Sequence, residues 1–238
     1  MKAVVLVSGW AMSADVMTPL AEALVVRGCT VRVMSLADAD GESWEALLSA
    51  LDKQVGEDKC VLVGWSLGGN LCARFAARHP DKVAGLVTMG STPCFVACDS
   101  WPNGKHPDAY QEFADGVAAD LSRTLKGFAP ICSRGSEHLK DTIRLLATST
   151  KWVLAQSTDW CKLLDRLVED ARGEWQQVSC PTVHLLAEQD PLAKPATAND
   201  LKALLPEHEV RILTGSHVLF LDHKNIVVDI VTGMGAGA

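Results

Sequence analysis

Ser66 has the clearest chemical context in the chain. It lies in Gly64-Trp65-Ser66-Leu67-Gly68, a G-x-S-x-G pattern. A serine hydroxyl is a weak nucleophile until a base takes its proton, and an imidazole base works best when an acid orients it. In the usual setting of this pattern the partners follow in the order Ser, Asp or Glu, His, each on a loop after a later strand. Asp190, in Ala187-Glu188-Gln189-Asp190-Pro191, and His217, in Thr214-Gly215-Ser216-His217, stand at such points. Together they would support nucleophilic acyl transfer through an acyl-enzyme. The oxyanion formed on the way needs backbone donors. The amide of Leu67 is one, and the loop Ser8-Gly9-Trp10 supplies the other through Trp10. This chemistry calls for no cofactor and no metal.

Competing residues are weaker on position. Glu188 could replace Asp190, but it sits nearer its strand, and Asp190-Pro191 makes the better turn. His208 precedes its strand and falls at the wrong end, His184 is mid-strand, and His223 starts the last helix. Trp10 follows a glycine at a strand end, which favours a pocket wall over an ordinary core aromatic.

These residues need a frame to bring them together. Lys2–Val7, Thr30–Met34, Cys60–Val63 and Ala84–Met89 read as strands buried on both faces, separated by helical patterns over Asp15–Arg27, Trp44–Gln54 and Leu67–Arg78. Such alternation implies a parallel sheet flanked by helices. From Cys94 to about Gln177 only helical stretches are expected, over Pro107–Lys126, Glu137–Thr148 and Thr158–Arg172. Alternation resumes with strand Thr182–Ala187, helix Ala196–Leu205, strand Glu209–Leu213 and a helix from Lys224 to Thr232. The predicted organisation is an α/β core over residues 1–93 and 178–238, interrupted by a helical insertion over 94–177. The tail Gly233–Ala238 is expected to carry no role.

The 238 residues carry 22 Lys and Arg against 29 Asp and Glu, a net charge of -7. That balance disfavours nucleic acid as a partner, because phosphate binding needs a basic footprint. The eight cysteines lack metal-finger spacing and read as buried, reduced thiols. Lys2 followed by Ala3-Val4-Val5-Leu6-Val7 imitates a secretory leader, but the run breaks at Ser8-Gly9 and is better read as a buried strand. No window reaches the ~18 apolar residues of a membrane span, so no membrane association and a cytoplasmic location are expected.

The chain thus resembles the α/β-hydrolase superfamily over most of its length, with an inserted helical cap and no N-terminal antiparallel hairpin. Gly64-Trp65-Ser66-Leu67-Gly68-Gly69, Ser91-Thr92-Pro93-Cys94-Phe95 and Asp99-Ser100-Trp101-Pro102 together are similar to the family of pimeloyl-[acyl-carrier-protein] methyl ester esterases of biotin synthesis. Ser8-Gly9-Trp10 matches two residues of that family's His-Gly-Trp, and Ser8 stands where histidine is usual. Leu36-Ala37-Asp38-Ala39-Asp40-Gly41 replaces a glycine-rich loop after the second strand. The resemblance implies a monomeric serine carboxylesterase that cleaves the methyl ester of a pimeloyl chain borne by an acyl carrier protein. Substrate would meet Trp10, Ser66, Leu67, Phe128 and His217, and the carrier would meet Arg123, Lys126, Lys140 and Arg144.

A local count bears on the carrier. Residues 121–151 hold six cationic side chains and two acidic ones, a net of +4 that leaves -11 on the remainder. A basic patch on an acidic body would steer an acidic partner. Two rivals stand beside this reading: a broader short-acyl carboxylesterase or thioesterase that needs no carrier, and a non-catalytic scaffold of the same fold.

Overall fold

In the computed structural model residues 1–234 are described, and their apolar runs pair into one six-stranded sheet. The strands are β1 (Ala3–Val7), β2 (Thr30–Met34), β3 (Cys60–Trp65), β4 (Val83–Met89), β5 (Thr182–Ala187) and β6 (Glu209–Leu213). Their order is β2-β1-β3-β4-β5-β6, and every pairing is parallel. Parallel neighbours need crossovers, which α1 (Thr18–Val26), α2 (Trp44–Val55) and α3 (Leu67–Arg78) supply in the first half. The chain steps from β1 outward to β2, then returns to place β3 on the other side of β1. At such a switch point the loops leaving the two strands diverge and open a crevice above the strand C-termini.

The strands β1, β3 and β4 are buried almost throughout, as continuous apolar runs should be. β2 departs from that expectation. It is an edge strand, and Thr30 and Arg32 are exposed along its length. Five of the eight cysteines are buried, whereas Cys98 is exposed and Cys161 and Cys180 are half-buried; all eight are free thiols.

Between β4 and β5 run α4 (Pro107–Ala119), α5 (Leu121–Ser133), α6 (Leu139–Leu154), α7 (Trp160–Asp165) and α8 (Arg172–Trp175). The continuous helix expected over Pro107–Lys126 is two helices. Asp120 leaves helical geometry at φ -158° and ψ 89°, and its carboxylate accepts from the Arg123 amide at 2.9 Å, which starts α5 afresh. The stretch over Thr158–Arg172 shrinks to one short helix started by Asp159, whose carboxylate accepts from the Cys161 and Lys162 amides. α5 packs on α6 and α4 on α7, which leaves this block contiguous in space.

After β5 come α9 (Thr197–Leu204), α10 (Leu219–Asp222) and α11 (Lys224–Gly233). α10 directly follows the His217 loop and was not expected. Of the expected tail, Gly233 ends α11 and Met234 is buried against Gly85, while residues 235–238 lie outside the described residues.

Candidate active site

The G-x-S-x-G turn joins β3 to α3 and forces Ser66 to φ 55°, ψ -124°. A non-glycine residue there is strained, and it persists only where its surroundings over-determine it. They do. The Ser66 amide donates to Met89 O at 2.8 Å, and its carbonyl accepts from Ser91 Oγ at 2.7 Å and from the Gly69 amide at 2.9 Å. The flanking glycines allow the close approach. A Cβ on Gly64 would lie 2.5 Å from Gly69 Cα, and one on Gly68 would strike the carbonyls of Val7 and Ser8 at the end of β1.

Asp190 follows β5 and is buried. Its Oδ1 accepts from the amides of Leu192 at 2.7 Å and Ala193 at 3.0 Å, which leaves Oδ2 facing His217. His217 Nδ1 donates to that oxygen at 2.7 Å. With the proton on Nδ1, the lone pair of the neutral ring is on Nε2. Nε2 is buried and has no hydrogen-bond partner among the described residues. Trp65, inside the serine motif, donates from Nε1 to His217 O at 2.9 Å and ties the two loops together. A buried imidazole nitrogen that is oriented yet unpartnered is equipped to take a proton. The structure therefore joins acid to base, while the Ser66 hydroxyl and Nε2 make no hydrogen bond with each other. Glu188 is exposed and outside this pairing.

The three competing histidines, His184, His208 and His223, are occupied. His208 Nε2 faces the carbonyl of Val178 at 3.3 Å and must donate, so its Nδ1 accepts from His184 Nε2 at 3.0 Å. His184 Nδ1 then accepts from Thr88 Oγ1 at 2.7 Å. Burial, with His208 beside it, pushes His184 down to about 3, so it stays neutral in the sheet, stacked on Trp175. His223 at the start of α11 donates to the carbonyl of Thr214 at 2.8 Å and steadies the His217 loop.

The first loop runs against the serine: a Cβ on Gly9 would sit 3.1 Å from Ser66 Cβ. Leu67 is the first residue of α3, so its amide has no intrahelical carbonyl to reach. Trp10 is both core aromatic and pocket wall. It is buried, packs edge-on against Phe113 and Phe128 at 5.6 and 5.5 Å, and donates from Nε1 to Trp160 O at 2.8 Å.

Trp10, Ser66 and Phe128 line a cavity of about 400 Å³, a size suited to a small acyl chain. Leu67 and His217 lie buried beside it rather than on its wall. Sequence reasoning missed Phe95, Lys105, Tyr110 and Phe113, which also line it. Phe95 falls in the Pro-Cys-Phe segment, and Tyr110 and Phe113 share an α4 face at i, i+3, so a signal existed. Lys105 carried none. Burial, chiefly, and then neighbouring Lys194 lower its affinity for a proton, with Asp190 opposing.

Arg123, Lys126, Lys140 and Arg144 are all exposed on α5 and α6. Arg144 pairs with Asp141 at 3.3 Å; the other three enter no ion pair among the described residues. Between these helices, the Gly135-Ser136 turn reaches the strand-end loops. Gly135, at φ 94°, lies against Gln189, and Ser136 Oγ donates to Asp222 Oδ1 at 3.0 Å beside the His217 loop.

Residues 2–224 match the family described as alpha/beta hydrolase fold. A pimeloyl-[acyl-carrier protein] methyl ester esterase from Aeromonas salmonicida is 31% identical over 95% of this chain and 92% of its own. The biotin biosynthesis bifunctional protein BioHC of Cellvibrio japonicus is 34% identical over 73% of this chain, which spans only 34% of that longer relative. Among solved structures, an esterase from Exiguobacterium antarcticum superposes with a TM-score of 0.83 at 17% identity, covering 98% of this chain and 91% of that one, a likeness of fold. The strand-end loops thus sit on a frame shared well beyond this sequence, and the chain belongs to the alpha/beta hydrolase family.

Proposed function

We propose that this carboxylic ester hydrolase cleaves the methyl ester of a pimeloyl chain carried by an acyl carrier protein, with Ser66 as nucleophile, His217 as base and Asp190 as its orienting acid. The observation that carries the catalytic part is the His217 ring, bound to Asp190 at Nδ1 and buried without a partner at Nε2. Ser66 Oγ attacks the ester carbonyl as its proton passes to Nε2, and the amides of Trp10 and Leu67 receive the oxyanion. Collapse gives an acyl-enzyme and methanol, which leaves with the proton from Nε2. Water, deprotonated by His217, then frees the carboxylate and restores Ser66.

Substrate choice is supported by different features. The relatives named above act, by their names, on pimeloyl-[acyl-carrier protein] methyl ester or in biotin biosynthesis. The aromatic cavity suits an alkyl chain, with Trp10 and Phe128 on its wall. Residues 94–177 serve as a cap over the core formed by 1–93 and 178–238, and Arg123, Lys126, Lys140 and Arg144 face outward on it, where an acidic carrier would dock. The enzyme works as a monomer in the cytoplasm, where it meets that carrier.

Growth of a biotin auxotroph lacking its own methyl ester esterase tests the reading. The wild-type gene should restore growth without biotin, and Ser66→Ala, expressed to the same level, should not. No rescue by a well-expressed wild type would leave a broader short-acyl esterase or thioesterase as the better reading.

A further inference from the structure

The loop that carries Trp10 is bonded to the strand ends through one carbonyl oxygen. Met12 O accepts one hydrogen bond from Ser8 Oγ at 3.1 Å and a second from Ser35 Oγ, also at 3.1 Å. Both serines are fully buried, one at the end of β1 and the other at the end of β2. Each is itself held. The Ser8 amide donates to Met34 O at 3.0 Å. The Ser35 amide donates to Asp38 Oδ2 at 2.8 Å, and Ser35 Oγ accepts from the Ala37 amide at 3.2 Å. Ser8 and the Leu36–Gly41 segment are two of the places where the sequence departs from the pattern it resembles. Ser8 bonds Met12 O directly, and Ala37 and Asp38 of the segment hold Ser35, which bonds it as well.

Between Trp10 and Met12 the chain passes through Ala11 at φ 54°. A residue with a Cβ is strained there and relaxes unless both sides are pinned. On the Trp10 side the indole is held by Trp160 O at 2.8 Å; on the other, Ser13 meets Ser149 Oγ from α6. Those ties bind the loop to the helical block. Among the described residues, the hydrogen bonds that tie Met12 to the sheet come from the two serine hydroxyls, and the strand ends of that sheet also carry Ser66.

The geometry points to Ser8 and Ser35 as positioning residues: together they hold Met12 O, lock the strained Ala11 and so fix the Trp10 amide where the oxyanion forms. This inference rests on the reading of Trp10 as an oxyanion donor. Because Met12 O has two donors, the loss of either leaves the other, and the two losses are non-additive.

The test is turnover of p-nitrophenyl acetate by wild type, Ser8→Ala, Ser35→Ala, the double variant and Ser35→Thr, normalised to active sites titrated with a fluorophosphonate. Inhibition by an alkylboronic acid, which forms a tetrahedral adduct at a nucleophilic serine, is measured in parallel. Each alanine variant should lose less than about tenfold in kcat, and the double variant about a hundredfold, as misplacing an oxyanion donor does. KM should stay within twofold, boronate affinity should fall by the same factor as kcat, and Ser35→Thr should match wild type. Normalisation counts only folded sites; should the Ser8 variants fail to fold, Ser35→Ala should still lose about threefold in kcat that Ser35→Thr retains, and equal kcat for the two would overturn the clamp. A double variant with wild-type kcat, or one with raised KM and unchanged kcat, would overturn the clamp alone. A wild type that neither labels nor turns over ester would overturn the catalytic reading, and the clamp with it.

Discussion

The strand-end loops of the sheet and the helical block between β4 and β5 solve different problems. In the loops the groups that orient the site are tied down: the Ser66 amide and carbonyl, the Asp190 oxygens and His217 Nδ1 each have named partners, while His217 Nε2 is left open. On α5 and α6 Arg123, Lys126, Lys140 and Arg144 are long, exposed cations, and the first three enter no ion pair among the described residues. Fixed short contacts suit a reaction whose barrier depends on ångström placement. Exposed charge suits long-range attraction, which tolerates mobile side chains and is screened by salt. The difference teaches where substitution should alter chemistry and where it should alter only the choice of partner.

The sharpest way to break this division is Asp190→Asn. It keeps the shape but favours the wrong imidazole tautomer, so kcat should fall by ~10⁴ with carrier-bound and free esters alike. Steady-state kinetics on both substrates would show it; a loss confined to the carrier-bound ester would place Asp190 in recognition instead. Gly135→Ala probes the seam between the regions. Its new Cβ would press on Gln189, next to Asp190, from a backbone at φ 94°. Turnover of a small ester should fall about tenfold although Gly135 lies in the helical block, as small displacements of catalytic groups do. Unchanged small-ester kinetics would mean that the two regions are uncoupled at this turn.

The smallest effect concerns a histidine with no part in turnover. His184 is neutral in the fold, pushed to about 3 by burial, and near 6.5 once unfolded. Between those values the unfolded chain binds the extra proton. The His184 contribution to stability should therefore be constant above pH 6.5 and fall as the pH drops toward 3. Urea midpoints at pH 7.5 and 4.5 should differ more for wild type than for His184→Gln, which retains amide partners for Thr88 and His208 without titrating. Equal differences would remove His184 from the acid sensitivity of the fold.

The loops of the candidate site were legible because their signals are local. A G-x-S-x-G turn between an apolar strand and an amphipathic helix leaves one conformation for Ser66, and Asp190 and His217 fall just past runs that could only be strands. Other features depended on what packs against them. Thr-Val-Arg-Val-Met does not declare itself an edge strand until its neighbours are known, although Arg32 hinted at it. The break at Asp120 turned on one carboxylate choosing a backbone amide over solvent. Lys105 reaches the cavity only because its segment folds back beside Phe95, a contact that no spacing encodes. The pair of hydrogen bonds accepted by Met12 O joins residues 8, 12 and 35 and was likewise invisible until β1 and β2 were paired.

The division between chemistry and recognition is tested most directly by reversing charge at Arg123, Lys140 and Arg144 together and measuring kcat/KM for the methyl ester of pimeloyl-acyl carrier protein and for a free short methyl ester. The predicted result is a loss of about tenfold or more on the carrier-bound ester, shrinking as salt is added, with the free ester unchanged. Equal rates for wild type and variant on the carrier-bound ester, or equal losses on both substrates, would contradict it.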